Sequence, residues 1–233
     1  MSKETLRLFS VLAICAPFAA VEQAWLRSHA APLTIDWKPT SVIESTIAGG
    51  ATADAVIVTS EAMDRLIAKG VVAADSRVEL VDSPLGLAML PDAVAPDISN
   101  VASFTQALLA AKSVAYSLGG ASGIYFQTLL KNLGIEEEIN ARATTIAEGF
   151  TAAQLLEGTA DIAVQQISEL LMVKGIKVIG PLPPGAQKVL SFSGGVFSRA
   201  ARPDDAAALL HFLREKEAMQ AFAAYGLTAR HQV

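Results

Sequence analysis

Short β-rich runs alternate with longer helical patterns along the whole chain. The third run, Ala55–Val58, is entirely apolar, as expected for a strand that is buried on both faces of a parallel sheet. Alternation of this kind is typical of an α/β fold. The strands and helices predicted for the first 70 residues cover 6–12, 16–28, 33–37, 42–48, 55–58 and 61–69.

Two longer apolar segments, Val78–Leu90 and Lys188–Phe197, interrupt this alternation. The first contains Pro84 and is too long for an ordinary strand, so we interpret both segments as connections that pass between two lobes. Residues 1–83 and 195–233 would then form the first lobe, and residues 84–194 the second. The prediction is an α/β fold of two lobes joined by two crossings.

Composition argues against several classes of function. The 233 residues carry a formal net charge of −5, and the 18 Lys and Arg residues are scattered, whereas nucleic-acid binding needs a concentrated basic surface. The single cysteine cannot form an internal disulfide, and the three histidines are too widely spaced for a zinc site. We therefore expect neither a nucleic-acid partner nor a bound metal.

A glycine-rich loop, Gly119–Gly123, precedes the helical pattern Ile124–Leu133. Loops of this kind bind phosphates when a Walker lysine follows the glycines, or bind dinucleotides when they carry a three-glycine fingerprint. This loop has neither feature. No nucleotide and no other cofactor is expected.

The amino terminus has two interpretations. The apolar stretch Leu8–Val21 follows Lys3 and Arg7 and is similar to the hydrophobic region of a signal peptide. However, Glu4 lies in its flank, and cleavage near Ala20 would remove the first predicted strand. We therefore expect a cytoplasmic protein, with a periplasmic protein as the alternative if residues 1 to 20 or so are a signal peptide.

Small polar residues lie at the ends of four predicted strands. In open α/β sheets, ligands bind beyond the carboxyl ends of the strands, where helix N-termini present unpaired N–H groups. Each residue could instead be a simple helix cap. The candidate ligand-binding residues are Ser10, Thr59, Ser60, Ser122, Gly123, Gln165 and Gln166.

Three segments resemble the molybdate-type solute-binding proteins. They are IAGGATADAVIVTS (47–60), VAYS followed by SGIY (114–125), and LEGTADIAVQQISEL (156–170). Together with VIGPLP (178–183), the third segment is most similar to a branch of this family that also contains aconitate isomerase.

The resemblance implies a type II periplasmic-binding-protein fold, in which two lobes close on a small ligand. Members of the family bind oxyanions through neutral hydroxyl and main-chain N–H groups. The resemblance places the seven candidates in this role, with Thr59 or Ser60 and Gln165 or Gln166 as alternatives. Ala13 stands where molybdate binders have a serine, and Ala121 lies beside Ser122 where another hydroxyl would be useful. The expected ligand is a small anion, a carboxylate or an oxyanion, and these departures favour a carboxylate or another small polar ligand over a tetrahedral oxyanion.

Two functions fit these expectations, and a degenerate relative without a ligand is the third interpretation. The chain would bind a small anionic ligand as a receptor or sensor, with an ABC transporter membrane component as partner if it is exported. Alternatively, it would be a cytoplasmic isomerase of a small organic acid, which needs a base to move a proton. The available groups are Glu148, Tyr116, Tyr125 and Glu169, the last expected on a solvated helix face. We favour binding.

Overall fold

The computed structural model describes residues 5–29 and 31–230 and shows a mixed α/β fold. The chain divides into two compact units. Met1–Ser83 and Ser191–Val233 form the first unit, and Pro84–Leu190 form the second. Among the described residues, no helix combines the length and the apolar character that a membrane crossing requires.

The first unit contains a parallel sheet with helices between its strands, as the alternation predicts. Its elements, in chain order, are β1 (Leu6–Ser10), α1 (Cys15–Ser28), β2 (Leu33–Trp37), α2 (Thr40–Ala48), β3 (Ala55–Thr59), α3 (Ser60–Ala68), and then, near the C-terminus, α9 (Pro203–Phe212), α10 (Lys216–Ala223) and β10 (Thr228–Ala229). Two short 3-10 helices cover Leu12–Ile14 and Ala74–Ser76.

The two segments that we interpreted as crossings are both strands. β4 (Val78–Met89) and β9 (Val189–Val196) each run from one unit into the other, and they are hydrogen-bonded neighbours in the strand order. β4 continues through Pro84 as one strand of 12 residues. The expected fold with two crossing segments is therefore confirmed.

The second unit repeats the same alternation. Its elements are α4 (Val101–Ala110), β5 (Val114–Ser117), α5 (Ala121–Asn132), α6 (Glu136–Asn140), β6 (Thr144–Ile146), α7 (Ala153–Leu156), β7 (Ile162–Gln166), α8 (Ile167–Leu170) and β8 (Lys177–Pro181). A buried cluster that includes Ala115, Leu155 and Ala163 packs α7 against β5 and β7.

Strand pairing brings specific strand ends together within each unit. In the first unit, β1 lies between β2 and β3 and is parallel to both, while β9 pairs with β3 in the antiparallel direction. In the second unit, β5 lies between β6 and β7 and is parallel to both, and β4 pairs with β7 in the antiparallel direction. β1, β2 and β3 therefore end at one edge of their sheet, and β5, β6 and β7 end at one edge of theirs.

Helix α5 begins three residues before the apolar pattern that predicts it. Gly120 is its N-cap, and Ala121, Ser122 and Gly123 form its first turn. Gly123 allows this turn to lie directly on β5, because a Cβ at this position would be only 1.6 Å from the main-chain oxygen of Ser117. No other residue type fits at position 123 without displacing the backbone.

Candidate functional site

The carboxyl ends of β5 and β7 meet at one edge of the second unit. Val114 pairs with Ile162 and Ala115 with Ala163 in a parallel register, so Ser117 at the end of β5 lies beside Gln165 near the end of β7. Neighbouring strands are about 5 Å apart, which places polar groups from both strands within reach of one small molecule. Helix α5 begins at the same edge, four residues after Ser117.

The N-terminus of α5 has no side-chain cap. The first N–H groups of any helix have no partner within the helix, so those of Ala121, Ser122 and Gly123 are available to an anion. Ser122, in the first turn of the helix, is only 2% exposed. Capping does not account for Ser122, because Gly120 occupies the cap position.

A second hydroxyl, that of Ser117, lies directly under this turn. It is buried and has no hydrogen-bond partner among the described residues. A Cβ on Gly120 would approach the Ser117 hydroxyl to 2.6 Å, and one on Gly123 would approach it to 2.8 Å. The two glycines therefore leave the hydroxyl in contact with the uncapped turn, where it adds a donor to the free N–H groups.

Gln165 is committed to the protein itself. Its Oε1 accepts hydrogen bonds from the N–H (2.8 Å) and the hydroxyl (3.0 Å) of Thr151, and its Nε2 donates to the Gly149 oxygen at 2.8 Å. The same amide also hydrogen-bonds the carboxyl of Glu169. Its donors and acceptors are thus used to anchor the loop before α7, which leaves Gln166 as the better candidate of the pair.

Gln166 has one free end. Its side-chain amide hydrogen-bonds the Glu169 carboxyl, while its Oε1 is buried without a partner among the described residues. The hydroxyl of Ser168, in the first turn of α8, is also buried and unpartnered there. A buried polar group of this kind implies a water or ligand that satisfies it.

The structure overturns the expectation that Glu169 lies on a solvated helix face. Glu169 is 6% exposed, because α8 packs between β7 and β8. Burial raises the pKa of Glu169 to about 8, although hydrogen bonds from Gln166 and Gln165 favour the ionised form. Asp54, the other buried carboxylate among the described residues, accepts hydrogen bonds from the N–H groups of Arg7 and Arg202.

In the first unit, the carboxyl ends of β1 and β3 also lie together at one edge of the sheet. Ser10 ends β1 and is fully buried, with a hydroxyl that has no partner in the described part of the chain. Thr59 ends the neighbouring strand β3 and is 8% exposed. Its Oγ1 is the N-cap of α3 and accepts a long hydrogen bond of 3.4 Å from the Ala62 N–H.

Ser60 is held in a network of charged and hydroxyl groups. Its hydroxyl lies 2.7 Å from that of Ser193 and accepts a hydrogen bond of 2.7 Å from Arg230. Arg230 also pairs with Glu79 and, at 3.1 Å, with Asp82. Burial would raise the pKa of Glu79, but its hydrogen bonds and the charge of Arg230 bring it below the usual range.

Four groups at the strand ends were not selected as ligand contacts from the sequence: Ser117, Ser168, Glu169 and Arg230. Ser117 follows the same rule as Ser10, since both are the last residue of a parallel strand, and the rule could have found it. Nothing local indicates that Glu169 is buried or that Arg230 reaches Glu79, which is 151 residues away.

The other groups considered as a base are poorly placed. The Tyr116 hydroxyl donates to Asn140 at 2.6 Å, and the Tyr125 hydroxyl donates to the Ala186 oxygen at 3.0 Å. Burial raises the pKa of both phenols. Glu148 is exposed. Within residues 5–29 and 31–230, no cluster of three or more His, Cys, Asp or Glu side chains could hold a metal ion.

Comparison with known proteins agrees with this architecture. A family model described as bacterial extracellular solute-binding protein matches residues 6–228. The chain belongs to this family. An aconitate isomerase from Pseudomonas sp. is 39% identical over 186 residues, which are 79% of this chain and 71% of that protein. The predicted relationship to a branch that contains such an enzyme is therefore confirmed.

Solved structures share the fold. The periplasmic molybdate-binding protein of Azotobacter vinelandii has a TM-score of 0.81 at 14% identity and covers 97% of this chain and 100% of its own. The substrate-binding domain of a putative molybdenum ABC transporter from Clostridium difficile has a TM-score of 0.73 at 18% identity, over 97% and 99%. The sulfate-binding protein SubI of Mycobacterium tuberculosis has a TM-score of 0.76 at 14% identity, over 97% and 87%. The predicted type II periplasmic-binding-protein fold is confirmed.

Proposed function

We propose that this solute-binding protein binds a small anion, preferentially a carboxylate, through neutral donors at the carboxyl ends of its strands. One observation carries the proposal: the uncapped N-terminus of α5, the unsatisfied hydroxyl of Ser117 and the buried side chain of Ser122 lie together at one strand edge. The helix dipole adds a favourable field for an anion at that point.

We propose that some of the remaining candidates contact the ligand and that others support those contacts. Gly123 contributes its N–H and the close approach of α5 to β5, and Gln166 contributes the free end of its amide. Ser10 and Thr59 are proposed as contacts on the edge of the first unit. Ser60 and Gln165 are proposed to support them, because both are engaged by other protein groups.

The known relatives support an anion as the ligand and leave its shape open. The two solved neighbours described as molybdate-binding and sulfate-binding take tetrahedral oxyanions, whereas the relative at 39% identity is an enzyme that acts on aconitate. The second relationship is much closer in sequence. We therefore propose a carboxylate, and cis-aconitate and trans-aconitate are the first probes to use.

Ser122→Ala tests the proposed contact. If the Ser122 hydroxyl donates to a charged ligand, its loss weakens binding by about 1.5 to 3 kcal/mol, or roughly 10- to 150-fold. Thr128→Ala is the matched control, because Thr128 lies on the exposed face of the same helix. Isothermal titration with both aconitate isomers gives the two affinities, and thermal unfolding shows that both variants are folded. Equal affinity in Ser122→Ala and Thr128→Ala would remove Ser122 from the site.

Isomerisation of the bound acid is the second candidate function, and the 39% identity to an aconitate isomerase favours it. A base would take a proton from the methylene carbon beside the double bond. The electron pair would then shift through the double bond, and the same proton would return at its other end. The base is regenerated when the proton returns to the substrate, and no electrons are gained or lost, so the reaction needs no cofactor. Glu169 is the buried carboxyl that the second unit offers for this step, which requires its ionised form.

Proton NMR of cis-aconitate in deuterated buffer separates the two functions. The binding proposal predicts that the ligand binds and is recovered unchanged after prolonged incubation with protein. Conversion to the trans isomer would replace the binding proposal with the isomerase. Any deuterium, taken up when the base exchanges its proton with the buffer, would enter at the former vinyl carbon, which is the methylene carbon of the product. An incubation without protein gives the uncatalysed rate.

We also propose that residues 6–20 remain in the mature protein, as the expected cytoplasmic location requires. β1 lies between β2 and β3, and Phe18 in α1 is buried, so cleavage near Ala20 would remove part of the core. Mass spectrometry of the protein from its natural host should find peptides from this region. A terminus near Val21 would favour the periplasmic alternative, with an ABC transporter membrane component as the partner.

A further inference from the structure

Glu169 is unusual for a carboxyl group this deeply buried. The groups that hydrogen-bond it are neutral amides, those of Gln166 and Gln165, and no cation in the described residues compensates its charge. Removal of a carboxylate from water without a cation favours the neutral acid. Glu169 thus holds a proton under conditions in which ordinary carboxyl groups are ionised.

The elements around Glu169 offer few other titratable groups. β7 has none, and β8 has only Lys177, at its exposed end. β4, which pairs with both strands, carries Glu79 and Asp82, and both form ion pairs with Arg230. On α5, which packs on β7, the Tyr125 hydroxyl is bonded to the Ala186 oxygen and Lys131 pairs with Glu136. Lys174, in the segment after α8, is exposed. A change in the protonation of Glu169 is therefore felt mainly by Gln166 and by a ligand beside it.

We propose that Glu169 couples binding of the anion to a proton: the site takes its anion only while Glu169 is neutral. The inference rests on the anion site proposed above, and it makes Glu169 a positioning residue that acts through Gln166. An ionised Glu169 would place a negative charge next to the ligand in a low-dielectric interior, which opposes binding. A neutral Glu169 removes that charge.

The unpaired end of Gln166 gives the proton a second effect. When Glu169 is ionised it accepts from the Gln166 Nε2, and the Gln166 Oε1 is left as a buried acceptor. A protonated Glu169 can instead donate to that oxygen, and the Gln166 Nε2 then turns its N–H groups to the ligand. The same proton therefore changes Gln166 from an acceptor, which repels an anion, into a donor, which binds it.

Linkage fixes the direction of the pH dependence. Below the pKa of Glu169 the proton is already present, and binding is independent of pH. Above it each complex must take up a proton, so the affinity falls about tenfold for each pH unit. The trans-aconitate probe is fully ionised throughout this range, because its carboxyl groups titrate at much lower pH.

Isothermal titration with trans-aconitate, repeated in two buffers of different ionisation enthalpy, counts the protons taken up. We expect about one proton per ligand at pH 9.5 and close to none at pH 6.5 for the natural protein, and no proton uptake at either pH in Glu169→Gln. Glu148→Gln, at an exposed position, should behave as the natural protein does. Circular dichroism confirms that each variant is folded.

The possible outcomes distinguish failure of the proton coupling from failure of the proposed anion-binding function. If no aconitate isomer, citrate or sulfate binds at any pH, the proposed function fails, and this inference fails with it. If trans-aconitate binds but the natural protein takes up no proton at pH 9.5, only the coupling is overturned, and this holds even if Glu169→Gln does not fold. Undiminished uptake in a folded Glu169→Gln would assign the proton to another group and overturn the role of Glu169.

Discussion

A buried polar group without a hydrogen-bond partner destabilises a protein by roughly 1 to 3 kcal/mol, and the proposed anion site of this protein is built around such groups. Several are at the carboxyl ends of strands: the hydroxyls of Ser10, Ser117 and Ser168, and the amide oxygen of Gln166. A fold retains groups of this kind where something else satisfies them. At a sheet edge beside an uncapped helix, that partner is most simply a ligand.

The contact between the first turn of α5 and the end of β5 links the fold to the proposed anion site. Gly123 lets α5 lie on the end of β5, which buries the Ser117 hydroxyl beneath the first turn of the helix. The same contact directs free N–H groups and the positive end of the helix dipole to the strand edge. Neutral donors and a dipole are enough to bind an anion. A chain with scattered Lys and Arg can therefore still recognise a negatively charged solute.

The regular features of the fold could be predicted from local patterns. β2 has the predicted bounds, and both crossing segments are strands, because apolar runs and helical periodicity reflect burial directly. The start of α5 could not be predicted as well, because its first turn, Ala121–Gly123, has no apolar periodicity. The candidate residues at strand ends could be found because parallel strands end at one edge.

The state of those residues could not be predicted, because it depends on distant contacts. Gln165 is occupied by a loop that begins 16 residues earlier in the chain, and Ser60 by Arg230 near the other end. Glu169 lies in a helix just after a strand, a position at which a glutamate is often exposed. It is buried here only because α8 packs between β7 and β8. Sequence patterns indicate where an edge lies, while packing decides which of its groups are free.

A two-dimensional NMR titration of the backbone amides with trans-aconitate tests the proposed anion site at α5 most directly. The N–H groups of Ala121, Ser122 and Gly123 should shift most strongly to low field, because they hydrogen-bond the anion. Residues on the opposite edge of the same unit, such as Leu90 and Ala111, should not move. Saturable binding that leaves the amides of 121–123 unchanged would show that the anion does not bind at the N-terminus of α5.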